Sequence, residues 1–345
     1  MCPLNAAARE DVAMLSWVVD HPPPIDAAPL RRIERAVPEP GAGQVLVRVS
    51  CCGVCRTDLH LAEGDLAPHR AAVTPGHEVV GVVAAVGPGS ARFEVGERVG
   101  VAWLASTDGS CAQCRRGREN LCVAPRFTGW DVDGGYADFC MVDEDFAYRL
   151  PDALPDEAAA PLLCAGIIGY RALMRAEVPA GGSLGLYGFG GSAHLTAQLA
   201  LHLGIRVHVL TRGEGNRELA VRLGVDSVGP ADGQPPQPLD SAILFAPAGE
   251  LVPVAMRALA PGGTLAVAGI WLSDIPAMVY ESELFHERQL RSVTANTRAD
   301  GEEFLRLAAR FEIAATTSSY PMAEADRALA DLRHGRFSGA AVLVN

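Results

Sequence analysis

Three short stretches carry side chains that can ligate a metal or move a proton: Cys55-Arg56-Thr57-Asp58-Leu59-His60, Gly76-His77-Glu78 and Leu163-Cys164. Thiolate and imidazole suit zinc, and two thiolates with one imidazole make a tetrahedral site of near-zero net charge with one position left open. The natural use of such a centre is to polarise a carbonyl oxygen or stabilise an alkoxide. A second cluster, Asp108-Gly-Ser-Cys111-Ala-Gln-Cys114 followed by Cys122, reads as a closed structural zinc lobe, which stabilises a loop with little core of its own. Carboxylate oxygen is a competent zinc ligand, so Asp108 with Cys111, Cys114 and Cys122 carries the same charge as four thiolates.

A third constellation is backbone chemistry. Gly188-Phe-Gly190-Gly191-Ser-Ala193 fits G-x-G-x-x-G/A between a predicted strand, 183–187, and a predicted helix from about Ala193 to Leu203. Glycines at 188 and 190 allow a tight turn and close approach to a pyrophosphate at the helix N-terminus, and Ala193 allows close helix-to-strand packing. The next strand, 206–210, runs into Thr211-Arg212, where an NAD-binding strand would usually end in Asp or Glu. A hydroxyl, the fork of Arg212 and, one turn on, Arg217 serve a 2'-phosphate better than a bare ribose hydroxyl, so NADP is favoured over NAD.

The elements that must position these groups fall into two textures. Before about residue 163, short β-branched runs between Gly and Pro, such as 44–49 and 79–86, predict a β-barrel-like domain. Beyond it, strands at 183–187, 206–210, 241–245, 264–268 and 290–293 alternate with helices, which predicts a doubly wound parallel sheet. The predicted division is an N-terminal extension over 1–13, a catalytic domain over 14–163, a dinucleotide domain over 164–298, and a return to the catalytic domain over 299–345.

At Cys55 to His60, Gly76-His77-Glu78 and Leu163-Cys164 the chain resembles the zinc-dependent alcohol dehydrogenases of the medium-chain dehydrogenase/reductase superfamily, from about Leu15 to the C-terminus. The resemblance implies a GroES-like catalytic domain joined to a Rossmann-type domain. It implies that Cys55, His77 and Cys164 hold a catalytic zinc, with Glu78 a fourth, exchangeable ligand, and that Asp58 orients His77, whose second ring nitrogen needs a partner. Thr57 and His60 match the family's proton relay, Arg56 the contact to the cofactor pyrophosphate, and Trp103 and Trp130 positions near the substrate channel. Leu66 stands where the yeast ethanol enzymes carry a large aromatic, which implies room for a primary alcohol or aldehyde larger than ethanol. Asp108 departs from the family's fourth cysteine. Near the C-terminus Gly339-Ala-Ala341 replaces an Arg that many relatives place on the cofactor phosphates. Two zinc ions per chain and a homodimer or homotetramer are also implied.

Bulk properties narrow the field. The 345 residues suffice for two domains, and a formal charge of -12 opposes nucleic acid and anionic membranes. Every one of the 29 basic residues is Arg, so Schiff-base chemistry and a P-loop lysine are excluded. The N-terminus has no signal-peptide pattern and no segment reaches membrane-spanning length, which predicts a cytoplasmic protein. Nine cysteines in a reducing compartment suit metal better than disulfides. Two rival readings are a zinc-free quinone or enone reductase of the same fold, which needs no Cys55, His77 and Cys164 set, and a non-catalytic dinucleotide or redox sensor, which needs no Thr57 and His60.

Overall fold

A computed structural model describes residues 13–19, 25–337 and 339–345. Residues 1–12, most of the expected N-terminal extension, lie outside the described residues; Ala13 opens the first strand. The described residues form two compact units, those up to Cys164 together with those from Thr316 onward, and 165–315.

In the first unit, β1 (Ala13–Val19) pairs antiparallel with β2 (Leu30–Ala36). The long β3 (Gln44–Val54) leads into α1 (Arg56–Glu63), then β4 (Val79–Val86) and β5 (Arg98–Val101). A small ribbon of β6 (Leu104–Ser106) and β7 (Arg126–Phe127) flanks the cysteine lobe, followed by β8 (Phe139–Asp143), β9 (Ala147–Arg149) and the short α2 (Asp156–Ala159). Valines 45, 47, 49, 79, 80 and 83 of β3 and β4 are buried. Their branched side chains fit a pleated surface and build the core of this unit.

The second unit starts with α3 (Ala165–Ala176) and continues β10 (Ser183–Tyr187), α4 (Gly191–His202), β11 (Arg206–Leu210), α5 (Glu214–Arg222), β12 (Ser227–Gly229), β13 (Leu239–Leu244), α6 (Leu251–Ala258), β14 (Leu259–Val267), β15 (Gln289–Ser292) and α7 (Arg298–Phe311). The strands are all parallel, in the order β12-β11-β10-β13-β14-β15, the doubly wound order of a Rossmann-type sheet. β10 is buried at all five positions, as a central parallel strand covered on both faces must be.

The chain then re-enters the first unit with β16 (Thr317–Pro321), α8 (Ala325–His334) and β17 (Ala340–Val344). β17 pairs with β3 and closes a seven-stranded sheet, β16-β17-β3-β4-β5-β9 with β8 on β3, the GroES-like catalytic fold.

Two boundaries correct the sequence expectation. The return begins at Thr316, not at 299, because α7 belongs to the dinucleotide unit. Thr297 caps α7 in a reciprocal box with Asp300, and Gly301, Phe304, Leu305 and Ala308 form one buried stripe. Phe304 lies so close to Gly166 of α3 that a Cβ there would sit 2.2 Å from the ring, and His202 of α4 stacks on Phe311 at 4.9 Å. Burial of Phe304 alone contributes about 1.5–3 kcal/mol toward holding α7 there. Cys164, expected to open the dinucleotide domain, is instead the last residue of the first unit before the chain crosses over.

Candidate active site

α1 is built to present a thiolate. Cys55 is its N-cap: the sulfur accepts from Thr57 N at 3.5 Å, while the Asp58 carboxylate reaches back to accept from Cys55 N at 2.9 Å. The first-turn dipole favours negative charge at that sulfur. Gly64, at φ 85, ends the helix.

Four predicted ligands converge in the first unit. Cys55, His77, Glu78 and Cys164 bring their donor atoms within 4.8 Å of one another. Cys55 Sγ lies 3.7 Å from Cys164 Sγ, and His77 Nε2 3.3 Å from that same sulfur. Tetrahedral zinc with bonds of about 2.3 Å to sulfur and about 2.1 Å to nitrogen sets these edges near 3.8 and 3.6 Å, so the donor set fits zinc. Asp58, 2% exposed, faces His77 Nδ1 at 3.2 Å and also accepts from Gly76 N at 3.0 Å. That leaves Nε2 on the side of Cys164 Sγ.

The four donors shift one another's titration. A hydrogen bond from Cys164 and the neighbouring His77 hold Cys55 well below the ordinary thiol range against burial, and the same bond, with burial, drives Cys164 up. Burial opposes charge on His77, but Asp58 and Cys55 outweigh it and raise its pKa. Burial and the Cys55 charge push Glu78 up. A divalent cation held by these four donors would offset the shifts.

Glu78 has room only because β3 carries glycine opposite it: a Cβ on Gly53 would stand 1.8 Å from Glu78 Oε2. Thr57 Oγ1 lies 3.7 Å from Cys55 Sγ. His60, partly exposed on the same helix, pairs through Nδ1 with Asp65 at 3.0 Å, so its Nε2 faces away from that pair. Arg56 is exposed. Trp103 meets the His77 ring edge-on with centroids 4.8 Å apart, and Trp130 stacks on Trp103 at 6.0 Å. Leu66 is partly buried and donates its N–H to His60 O at 3.0 Å.

The second cluster also assembles. Asp108, Cys111, Cys114 and Cys122 lie within the same 4.8 Å limit, with the Cys111 and Cys114 sulfurs 3.6 Å apart. Asp108 Oδ1 accepts from Ser110 N and Cys111 N, each at 2.8 Å. Those N–H groups, Cys111 first, hold the Asp108 carboxyl down at about 2. It is therefore an anion at neutral pH, with Oδ2 outside these two bonds.

In the second unit Gly188 has φ 88, and a Cβ there would meet Ala246 at 2.9 Å, so glycine is needed on both counts. Gly190 caps α4, Gly191 opens it in exposed positions, and Ala193 is fully buried behind them. At the end of β11, Thr211 is buried and its carbonyl accepts from Arg217 Nε at 3.1 Å, while the Arg212 side chain is exposed. Arg336 pairs with Asp331 at 3.1 Å.

Sequence reasoning did not single out Gly53, His69, Phe127 or Tyr136, which shape the first site. Tyr136, fully buried, lies 3.4 Å from Asp58 Oδ2 behind the His77 contact. None carries a spacing signal, because each acts through residues distant in the chain.

A GroES-like unit carrying a four-donor cysteine, histidine and glutamate centre, followed by a Rossmann-type unit, defines a dinucleotide-linked oxidoreductase of the medium-chain class. The Alcohol dehydrogenase GroES-like domain family matches residues 41–152. The chain is 57% identical over 336 residues to "Probable alcohol dehydrogenase AdhA" of Mycobacterium tuberculosis (strain CDC 1551 / Oshkosh), covering 96% of this chain and 97% of that protein. It is 34% identical over 324 residues to an alcohol dehydrogenase of Geobacillus stearothermophilus, covering 91% and 96%. The structure of a cobalt- and zinc-bound thermostable alcohol dehydrogenase from Pyrobaculum aerophilum superposes with a TM-score of 0.87 at 25% identity, covering 97% of this chain and all of that one. The chain belongs to the zinc-type alcohol dehydrogenase family of the medium-chain dehydrogenase/reductase superfamily.

Proposed function

We propose that the chain interconverts a primary alcohol and an aldehyde, with zinc on Cys55, His77, Glu78 and Cys164 and a nicotinamide dinucleotide, NADP in preference to NAD, on the second unit. The observation that carries this reading is the convergence of four zinc donors with a buried carboxylate behind His77. When bound, zinc supplies a Lewis acid for the substrate oxygen and the nicotinamide supplies or accepts the hydride.

The chain's own residues do the rest. Asp58 keeps His77 in one tautomer and one orientation. Thr57 passes the proton of the substrate hydroxyl, and His60, held by Asp65 at Nδ1, exchanges it with water at Nε2. Gly188, Gly190 and Gly191 let the backbone of α4 approach the pyrophosphate, Arg56 adds a cation to it, and Arg212, with Arg217 beside Thr211, takes a 2'-phosphate. The Asp108 lobe holds a second, structural zinc. Trp103, Trp130 and Leu66 border the substrate, which is larger than ethanol. A zinc-free reductase has no use for this donor set, and a sensor none for the relay.

The reading includes a homodimer or homotetramer. Among the described residues β15 is an edge strand paired with β14, and Trp271, Tyr280, Phe285 and Leu290 before and along it are exposed. The reading includes a cytoplasmic setting. Among the described residues no single helix is long and apolar enough to cross a membrane.

The test is metal content per chain, followed by oxidation of NADPH and of NADH with a panel of aldehydes, on wild type and Arg212→Asp. Zinc with faster NADPH consumption, and a preference reversed in the variant, is the expected result. Metal-free protein that turns over quinones alone would sink the reading.

A further inference from the structure

In the first unit a cavity of about 340 Å³ opens between three pieces of sheet, and none of Cys55, His77, Glu78 or Cys164 lines it. The β1–β2 ribbon supplies Met14 and Arg35, which are cross-strand partners. The β6–β7 ribbon supplies Ser106 and Arg126, also cross-strand partners. β8 supplies Phe139 and Met141, two residues apart and so on one face of the strand, both partly buried. A cavity of this volume lies at the small end of the range for organic ligands.

Its wall is charged unevenly. Arg35, Arg70 and Arg126 stand against Asp133 and Asp143, so one positive charge is left over. Asp143 is engaged by Gln44 Nε2 at 3.0 Å. Asp133 is divided among several donors: one oxygen accepts from Thr74 N at 3.0 Å and the other from Arg35 Nη1 at 3.0 Å. Arg35 also donates to Thr74 Oγ1 at 3.0 Å. Arg70 is left with a long approach to Asp133 at 3.5 Å, and Arg126 with a 3.4 Å bond to Asp131 O. A guanidinium has five N–H donors, so most of those on Arg70 and Arg126 remain for another acceptor. On the same wall the buried Thr128 hydroxyl has no hydrogen-bond partner among the described residues.

We propose that this cavity binds a small organic carboxylate, its head on Arg70 and Arg126 and its apolar body against Met14, Phe139 and Met141. The surplus of one charge matches a monoanion, and the planar fork of a guanidinium matches the planar carboxylate. The three apolar side chains offer an alkyl chain an area that a bare inorganic anion cannot use, at about three- to fourfold in affinity per buried methylene. The site lies apart from the metal donors and does not depend on the reaction assigned to them.

The probe is radiolabelled hexanoate, followed by equilibrium dialysis against the zinc-loaded full chain with NADPH present, for wild type, Arg70→Gln/Arg126→Gln and Met141→Gln. Both arginines are exposed, so the double variant keeps the fold and the kcat/KM for aldehydes. Hexanoate held at the metal centre is common to all three proteins, and the difference between them reports the cavity. Wild type should bind one equivalent that the double variant loses or holds at least tenfold more weakly. Met141→Gln should weaken that equivalent about threefold, and its affinity should rise about threefold per methylene from butanoate to octanoate. Equal binding by wild type and the double variant overturns the proposal, and an unaltered affinity in Met141→Gln overturns the place given to the apolar body. Displacement by hexanamide as effective as by hexanoate would remove the need for charge, and displacement by inorganic phosphate at the same concentration would mark an adventitious ion only; either sinks the proposal.

Discussion

Replacing Gly53 by Ala places a methyl group 1.8 Å from Glu78 Oε2, 2.8 Å from its Cδ and 2.9 Å from its Cβ, where ordinary contact begins at 3.4 Å. The carboxylate must therefore retreat by about 1.6 Å, away from the sulfurs it now neighbours. Overpacking of this kind costs about 1–3 kcal/mol. Gly53 lies in β3, paired with β17, so the strand cannot yield freely. We expect Gly53→Ala to lower stability to urea by that amount and to accelerate loss of metal to a chelator. The decisive assay is a double-mutant cycle with Glu78→Ala, which removes the two nearest carboxylate contacts but not the Cβ contact. The cost of the added methyl should then shrink by about 1 kcal/mol or more. Strict additivity of the two substitutions, or an unaltered chelation rate in Gly53→Ala, would refute the claim that this glycine exists to seat Glu78.

Three further expectations follow from particular contacts. Asp58→Asn keeps the shape but removes the charge behind His77 Nδ1, and should weaken the catalytic metal about 10- to 100-fold in a chelator competition; wild-type affinity would mean that Asp58 only caps α1. Asp108→Ala should remove one metal equivalent per chain and make the 108–122 loop sensitive to protease, while the Cys55 centre keeps its metal; retention of both equivalents would show that the three thiolates suffice. Burial depresses the pKa of His194 and of His208, so both take up a proton on unfolding, and stability falls as pH drops below the unfolded value of about 6.5 until the depressed folded values are passed. His194→Gln should therefore lose less melting temperature than wild type between pH 7.5 and 5.5, and equal losses would contradict the assignment.

What the amino-acid sequence determines here is local. The glycine turn at 188–191, the Cys111-x-x-Cys114 knuckle and the alternation of strand and helix after residue 182 arise from contacts within a few residues, and they are legible as patterns. The zinc family followed from residue types at separated positions, but their meeting is a tertiary event: Cys55 and Cys164 are 109 residues apart and share an edge only because β3 and the turn before α3 belong to one unit. α7 shows the same limit from the other side. Its apolar stripe announces a buried face without saying which partner fills it, and Phe304 against Gly166 assigned it to the dinucleotide unit. Gly53 beneath Glu78, Tyr136 behind Asp58 and His69 on Trp130 left no periodicity to read, because a close approach between distant chain segments is set by packing and not by spacing.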